Sequence, residues 1–316
     1  MKAVCFWLAA LLAISLAPPT VAQPTHIQPR LVAECAEPAS GSSVTVALDM
    51  RTEKGWHGYW KNPGEAGLTS RFTWTLPKGA SIGAPAYPVP HVLSIAGLTN
   101  YVFEADHALL FTLKIPAGLA TGTAIPIRVA ADWLACTDQV CVPERGNFAL
   151  DLKIGSGAIT NGAQFDGWRA KLPTPLGSAV TFERVGDRLR LAVPYPVAAA
   201  ASAPHFFPND NGVIVDAAPQ TFSRAGDMLI IGLTAAKGGA GVPTGVLSIG
   251  GRGLEIAPRA GAVPPDGQPL DGKAGSSGSL RTILLAIGGA LLGGLILNIM
   301  PCVFPILSLK ALSLAK

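Results

Sequence analysis

Two cysteines, Cys136 and Cys141, stand close enough along the chain to react with each other. The strand-like run 125–130 precedes them, a second strand-like run, 147–153, follows them, and the tetrapeptide 137–140 separates them. This spacing predicts a β-hairpin whose loop is the tetrapeptide and whose strand ends carry the cysteines opposite each other. Such opposed positions have Cα atoms about 4.5 Å apart, which is within the range of a disulfide.

Three kinds of chemistry are open to this pair. Most paired cysteines of exported proteins form stable disulfides. A loop this short removes little entropy from the unfolded chain, so a disulfide here stabilises less than one across a long loop, which favours exchange. Zinc requires a second ligand pair at metal-site spacing, which the sequence lacks, whereas copper binding stays open. The scattered histidines are predicted to be structural or surface residues: His26, His57, His91, His107 and His205.

The cysteine nearest the C-terminus, Cys302, lies between Pro301 and Pro305 in an apolar run. Residues 282–309 carry no formal charge, and about 20 apolar residues cross the hydrocarbon core of a bilayer. Proline breaks the helical hydrogen bonding, and the freed carbonyls are tolerated where protein or water satisfies them. The thiol is therefore either reachable from a cavity at a broken membrane helix or incidental to a plain anchor helix.

The N-terminus predicts export. Lys2 supplies a positive charge, residues 3–16 form an apolar core, and the small residues Thr20-Val21-Ala22 make a cleavage site before Gln23. This pattern is typical of a secretory signal peptide, here residues 1–22, which is excluded from the fold. The chain then begins outside the cytoplasm and crosses the membrane once, with Lys310 and Lys316 inside, as the positive-inside rule prefers.

The residue pattern between these two ends predicts β structure. Short alternating runs such as 44–48, 72–76, 110–115 and 148–152 are separated by Gly, Pro and Asn clusters, and no long helical period appears before residue 281. This pattern predicts β-sandwiches rather than alternating strands and helices. The 24 basic and 20 acidic residues are scattered without a basic stripe, so the sequence predicts no nucleic-acid binding.

Composition divides this β region. Residues 23–155 make one sandwich-sized unit, a Gly-rich boundary follows at 156–164, and 165–257 make a second β unit. A flexible linker is predicted over 258–280, followed by a transmembrane helix over 281–310. The second unit repeats a short pattern, 181–189 and 221–229, in which Gly-Asp separates two alternating runs; this pattern indicates two hairpins of one sandwich.

Three blocks of the sequence carry a family resemblance. They are the Trp/Tyr/Asn-Pro-Gly segment 55–67, the cysteine block 133–144, and the membrane motif 295–305. Together they resemble the DsbD-type thiol:disulfide interchange proteins, and most of all the ScsB branch with its enlarged periplasmic N-terminal part. The first block is also consistent with core and turn residues alone, and it receives no catalytic role.

The resemblance implies an electron relay in the bacterial inner membrane. Cytoplasmic thioredoxin reduces a membrane cysteine pair, which reduces a periplasmic thioredoxin-like domain and then an immunoglobulin-like N-terminal domain. That last domain reduces oxidised exported partners, which are thioredoxin-like or disulfide isomerase proteins. On this basis Cys136 and Cys141 match the pair of the N-terminal domain, and Cys302 matches one membrane cysteine. All three are the predicted catalytic residues, with no cofactor and no metal.

The chain lacks the second membrane cysteine, the other membrane helices and a thioredoxin-like Cys-x-x-Cys. It is therefore expected to be a fragment of a protein-disulfide reductase that requires the remaining membrane and thioredoxin-like domains as partners. The expected fold is mainly β, with two immunoglobulin-like sandwiches followed by the first transmembrane helix. Two alternatives remain: a membrane-anchored β-sandwich binding module with a structural disulfide, and a periplasmic copper-handling protein.

Several residues around the pair are expected to modulate it. A shielding loop is typical of this family, and residues 91–100, followed by Tyr101 and Phe103, are the candidate because they are apolar yet rich in turns. Three acids, Asp132, Asp138 and Glu144, either disfavour the thiolate or are solvated loop residues. Cys35 follows an apolar run and is expected to be a buried thiol outside the exchange pair.

Overall fold

The computed structural model describes residues 25–270, together with residues 287, 288, 290, 291 and 294. The predicted signal peptide, Cys302 and most of the predicted membrane helix lie outside the described residues. Within the part that is described, no helix combines the length and the apolar character that a bilayer crossing requires.

The described chain is mainly β, as predicted. Its first ten strands are β1 (Ile27–Ala33), β2 (Ser43–Thr52), β3 (Gly58–Gly64), β4 (Arg71–Thr75), β5 (Ser81–Ile82), β6 (His91–Ile95), β7 (Leu98–Phe103), β8 (His107–Lys114), β9 (Ala124–Cys136) and β10 (Cys141–Lys153). Helix α1 (Gly162–Arg169) follows. The other strands are β11 (Thr174–Pro175), β12 (Thr181–Val185), β13 (Arg188–Pro194), β14 (His205–Pro208), β15 (Thr221–Ala225), β16 (Met228–Thr234), β17 (Gly245–Ile249), β18 (Arg252–Ile256), β19 (Arg259–Ala260) and β20 (Gln268–Pro269).

The first ten strands form three sheets, in the orders β1-β2-β8-β5, β10-β9-β4 and β3-β7-β6. Their pairings are antiparallel, and alternate residues of β9 point inward, with Ile125, Ile127 and Val129 buried in the core. The alternation predicted for half-buried strands is therefore present. It gives β9 a buried face and an opposite face that includes the side chain of Cys136.

The later strands form two further sheets, β11-β18-β17-β14 and β19-β12-β13-β16-β15-β20. The two predicted Gly-Asp hairpins are β12–β13 and β15–β16, and both lie in the six-stranded sheet. Gly186 and Gly226 have φ of 63° and 60°, a conformation that glycine adopts without steric cost. A second core, which includes Leu191, Phe206 and Ile231, lies between these sheets.

Helix α1 occupies the region in which the sequence predicts a boundary. Phe165 is fully buried against Ala47, Ala108 and Leu110, which lie on the outer face of the β2–β8 pair. Arg169 bonds to the carboxylate of Glu34 at the same surface. The predicted second unit therefore begins with a segment that packs on the first unit. The sequence pattern missed this helix because eight residues are too few to show a helical period.

The structure also corrects the predicted linker over 258–280. Within its described part, 258–270, strand β19 pairs with β12 and strand β20 pairs with β15. Asp266 accepts hydrogen bonds from Arg188 and Arg190, and Val263 packs against Ala192 and Ile230. A composition rich in Gly and Pro predicted a coil, but two short strands, with the contacts of Asp266 and Val263, attach the segment to the sheet.

Aromatic residues join the two halves of the chain. Trp60 and Tyr101, both fully buried, contact Phe207 with ring centroids 6.1 and 5.2 Å apart. The Tyr101 hydroxyl donates a hydrogen bond of 2.8 Å to Asp216, and the Asn62 side chain donates one of 2.8 Å to the Pro208 carbonyl. The halves therefore share a buried junction that contains polar contacts.

We propose that residues 23–155 and 165–257 are separate β-sandwich domains and expect subtilisin to cut the chain first within the exposed segment 156–160. Native gel filtration of the nicked chain is expected to show the two fragments eluting together, because the aromatic junction holds them. Fragments that unfold on cleavage, measured by circular dichroism, would contradict the division into two domains.

The buried hydroxyl at the junction yields a stability prediction. Tyr101→Phe leaves Asp216 buried without its donor, so we expect the free energy of unfolding in urea to fall by about 1–3 kcal/mol. The matched control is Tyr195→Phe, which removes an exposed hydroxyl bonded to the Ala200 carbonyl and is expected to change stability by less than about 0.5 kcal/mol. Equal effects of the two variants would refute the assigned importance of the Tyr101–Asp216 bond.

Candidate functional site

The β9–β10 hairpin brings Cys136 and Cys141 together. The two residues are direct partners at the end of the ladder, their Cα atoms are 4.1 Å apart, and a disulfide joins them. The loop is closed by Thr137, whose backbone N–H donates to the Val140 carbonyl and whose hydroxyl oxygen accepts from the Gln139 and Val140 N–H groups. The predicted hairpin and its opposed cysteines are thus present in the structure.

The two cysteines differ in exposure. Cys136 is 0% exposed, whereas Cys141 lies on the exposed side of the hairpin end. The Cys141 side of the disulfide therefore faces solvent, and the Cys136 side faces the protein interior. The spacing of the two cysteines in the sequence could not predict this difference, because the exposure of each one depends on the residues that pack over the hairpin.

The cover over Cys136 consists of apolar side chains from neighbouring strands. Tyr59 of β3 and Val102 of β7 are buried against Cys136, with Leu93 and Leu134 at the edge of this cluster. The predicted shielding segment 91–100 contributes by forming β6 and the start of β7, which turn at Gly97 with φ of 83°. The cover is therefore a paired hairpin rather than an irregular loop.

A histidine that the sequence interpretation treated as structural or surface lies opposite Cys136. The His57 N–H donates to the Cys136 carbonyl at 2.8 Å, and the Cys136 N–H donates to the His57 carbonyl at 3.0 Å. His57 is buried, its ring meets Tyr59 edge-on, and desolvation lowers the pKa of its imidazole. Its position in the Trp/Tyr/Asn-Pro-Gly segment was the only sequence signal available.

The three acids near the pair have different surroundings. Glu144 is buried, and its carboxylate accepts hydrogen bonds from the Trp133 indole and from the backbone N–H groups of His26 and Ile27. Asp132 and Asp138 are exposed. Glu144 therefore anchors the start of β1 to the hairpin and is not a solvated loop residue.

A groove of about 260 Å³ lies beside the hairpin, and its residues include Leu68, Leu134 and Pro143. Leu134 and Pro143 are direct partners two positions along the strands from the cysteines. The charged residues of the groove with exposed side chains are Arg71, Asp132 and Arg145. Leu68 is 61% exposed, so an apolar side chain is available to a partner close to the disulfide.

Cys35 is a free, buried thiol in the first core, as expected, and Cys302 lies outside the described residues. In the described part of the chain, no group of three or more His, Cys, Asp or Glu residues is arranged to hold a metal ion.

Comparisons with known proteins bear on this site. A family model described as thiol:disulfide interchange protein DsbD, N-terminal, matches residues 27–153. No curated protein matches the chain. The crystal structure of the N-terminal periplasmic domain of ScsB from Proteus mirabilis aligns with a TM-score of 0.57 and 19% identity, over 77% of this chain and 97% of that one. At this identity the likeness shows the fold.

A second solved structure contains the complex between the DsbD N-terminal and PilB N-terminal domains from Neisseria meningitidis. It aligns at 15% identity with a TM-score of 0.25, over 46% of this chain and 93% of that one, which is too loose to add to the fold comparison. The matched residues include the cysteine hairpin and strands β3 and β7, which pack over Cys136. The resemblance predicted from the sequence is confirmed: over residues 27–153 the chain carries the N-terminal domain of the DsbD-type thiol:disulfide interchange proteins.

Proposed function

We propose that Cys136 and Cys141 are a reversible redox pair that passes reducing equivalents to oxidised protein partners in the periplasm. Thiol:disulfide exchange in general is the chemistry of the family whose N-terminal domain this chain carries. The observation that supports the specific pair is its asymmetry: one sulfur is buried under a cover and the other is at an exposed hairpin end.

The asymmetry assigns the two steps of exchange. With the pair reduced, the Cys141 thiolate attacks one sulfur of the partner's disulfide, and the partner's other sulfur leaves as a thiolate that takes up a proton. Cys136 then loses its proton and attacks the Cys141 sulfur, which releases the partner's second sulfur. Two electrons and two protons have passed to the partner, and the Cys136–Cys141 disulfide has re-formed.

The same steps in reverse order would reduce the Cys136–Cys141 disulfide again. A reduced thioredoxin-like domain would attack the Cys141 sulfur and expel Cys136, and the membrane relay would supply its electrons. In this proposal Cys302 belongs to that relay, the chain is anchored in the inner membrane, and the remaining domains are its electron source. Thioredoxin-like proteins are the proposed exchange partners, because their exposed cysteine pairs suit attack at a single accessible sulfur.

Single cysteine substitutions test the assignment of roles. In Cys136→Ser the exposed thiol can attack but nothing resolves the intermediate, so we expect a mixed disulfide with an oxidised thioredoxin-like protein to accumulate on non-reducing gels. Cys141→Ser is expected to trap little, because its remaining thiol is buried.

The control for this test is Cys35→Ser, which removes a buried thiol outside the pair and should leave exchange unchanged. If neither Cys136→Ser nor Cys141→Ser traps a partner, the disulfide is structural and the binding-module alternative is favoured. Trapping by Cys141→Ser alone would reverse the assigned roles.

The groove beside the hairpin is proposed to contact the partner. Leu68→Asp places a charge on its apolar surface, and we expect the rate constant for exchange with a protein partner to fall about tenfold, equivalent to about 1.4 kcal/mol. The rate constant for reduction of the disulfide by dithiothreitol should change less than about twofold, because a small thiol does not need to bind in the groove.

Ile159→Asp is the matched control, because Ile159 is 66% exposed but lies in the segment before α1. It should leave both rates unchanged. A Leu68→Asp variant that slows dithiothreitol as much as the protein partner would show damage to the hairpin rather than a lost contact.

A further inference from the structure

One buried nitrogen beside the disulfide has no hydrogen-bond partner. In the described residues, four buried side-chain polar atoms lack one: His57 Nε2, Trp60 Nε1, Asn100 Oδ1 and Asn209 Oδ1. Among these, His57 is the residue directly opposite a cysteine of the pair. Buried polar groups are nearly always bonded, so an exception next to a reactive sulfur calls for a chemical explanation.

The strand register places His57 within reach of the Cys136 sulfur. The two reciprocal backbone bonds make His57 and Cys136 a direct cross-strand pair, and side chains of such a pair lie on the same face with Cβ atoms about 5 Å apart. Cys141 is the partner of Cys136 on the other side. His57, Cys136 and Cys141 therefore form one row across three neighbouring chain segments, with Cys136 in the middle.

The surroundings keep the imidazole neutral. His57 is 3% exposed, and burial lowers its pKa from 6.5, while the negative charges of Glu104 and Asp138 act in the opposite direction. Tyr59, the remaining titratable neighbour, meets the ring edge-on, and burial raises the pKa of its hydroxyl, so it stays neutral. A neutral imidazole has one nitrogen that accepts a hydrogen bond or a proton.

We propose that His57 is the proton acceptor for Cys136 in the resolving step of exchange. This inference rests on the proposed redox function of the pair. In the oxidised state the Cys136 sulfur has no hydrogen, so Nε2 has nothing to bind. Reduction creates an S–H group in the same buried row, and Nε2 then has its donor.

The proposed step is balanced in atoms and electrons. The proton of the Cys136 thiol moves to Nε2, and the resulting thiolate donates an electron pair to the Cys141 sulfur. The bond between Cys141 and the partner's sulfur breaks, and the partner leaves as a thiolate that takes the proton from the imidazolium directly or through solvent. The base is needed because apolar burial by Tyr59, Val102 and Leu93 disfavours an unassisted thiolate.

The probe 5,5′-dithiobis-(2-nitrobenzoate) isolates this step in the full chain. Attack by the reduced Cys141 releases one thionitrobenzoate at a rate that depends on probe concentration. Resolution by Cys136 releases a second one at a rate that does not depend on it, and the phase is identified by its loss in Cys136→Ser. The other thiols contribute only concentration-dependent release, so stopped-flow absorbance separates them.

In wild type we expect the rate constant of the resolving step to stay constant as the pH falls from 8 to about 6.5. The lowered pKa of the His57 imidazole keeps it neutral, and therefore able to accept a proton, over this range. In His57→Gln the Cys136 thiol must ionise unaided, and a thiol without such help ionises mainly above neutral pH, so the rate should fall about tenfold per pH unit. At pH 7 the loss should be on the order of 10²-fold. The control His26→Gln alters a ring stacked on Trp56 and should match wild type.

Three outcomes separate the proposals. Absence of the concentration-independent phase in wild type would overturn the redox function itself. Its presence with matching pH profiles for wild type and His57→Gln would overturn the role of His57 alone. Should His57→Gln fail to fold, nitrogen NMR of wild type decides: the His57 Nε2 resonance is expected to move on reduction while that of His26 does not, and an unmoved His57 resonance would overturn the role.

Discussion

The burial of the β3–β7 strand pair on both faces is the constraint on which the arrangement of the site depends. On one face Tyr59 and Val102 pack against Cys136. On the other face Trp60 and Tyr101, the adjacent residues of the same two strands, pack against Phe207 from the second half of the chain. Because successive residues of a strand point to opposite faces, the same two strands bury the sulfur and join the halves.

This arrangement relates the second half of the chain to the chemistry of the first. The family match ends at residue 153, yet the strand that covers Cys136 is tied by Tyr101 to Asp216, more than a hundred residues later in the chain. Burial raises the pKa of Asp216, although its bond to Tyr101 favours the ionised form. Burying a carboxyl group costs free energy, and its bond to Tyr101 offsets part of that cost. This bond fixes the relative position of the two halves at the junction more specifically than apolar contact alone.

The pair itself combines an accessible sulfur with a protected one. Hairpin pairing alone would leave both cysteines at a solvent-exposed turn, open to any thiol. Packing over Cys136 leaves the Cys141 side exposed and places the buried cysteine directly opposite the buried residue His57. In the proposed exchange reaction, selectivity and proton transfer then depend on the same row of residues, His57, Cys136 and Cys141.

The sequence by itself determined the features that depend on local pattern. Alternation of apolar and polar residues identified the strands around 44–48, 125–130 and 148–152, and the Gly-Asp turns identified two hairpins. The cysteine spacing predicted the disulfide geometry, and three motif blocks indicated the family. Each of these follows from neighbours within a few residues, where chain geometry allows few alternatives.

Tertiary structure decided the features that depend on residues distant in sequence. His57 lies opposite Cys136 only because the residue that precedes β3 meets the end of β9, and Glu144 finds two of its donors at the distant start of β1. The burial of Cys136 depends on a cover from β3 and β7. Residues 258–270 join a sheet through strands β19 and β20, with added contacts of Asp266 and Val263. Such contacts have no local signature in the sequence, because their free energy comes from surfaces that meet only when the whole chain has folded.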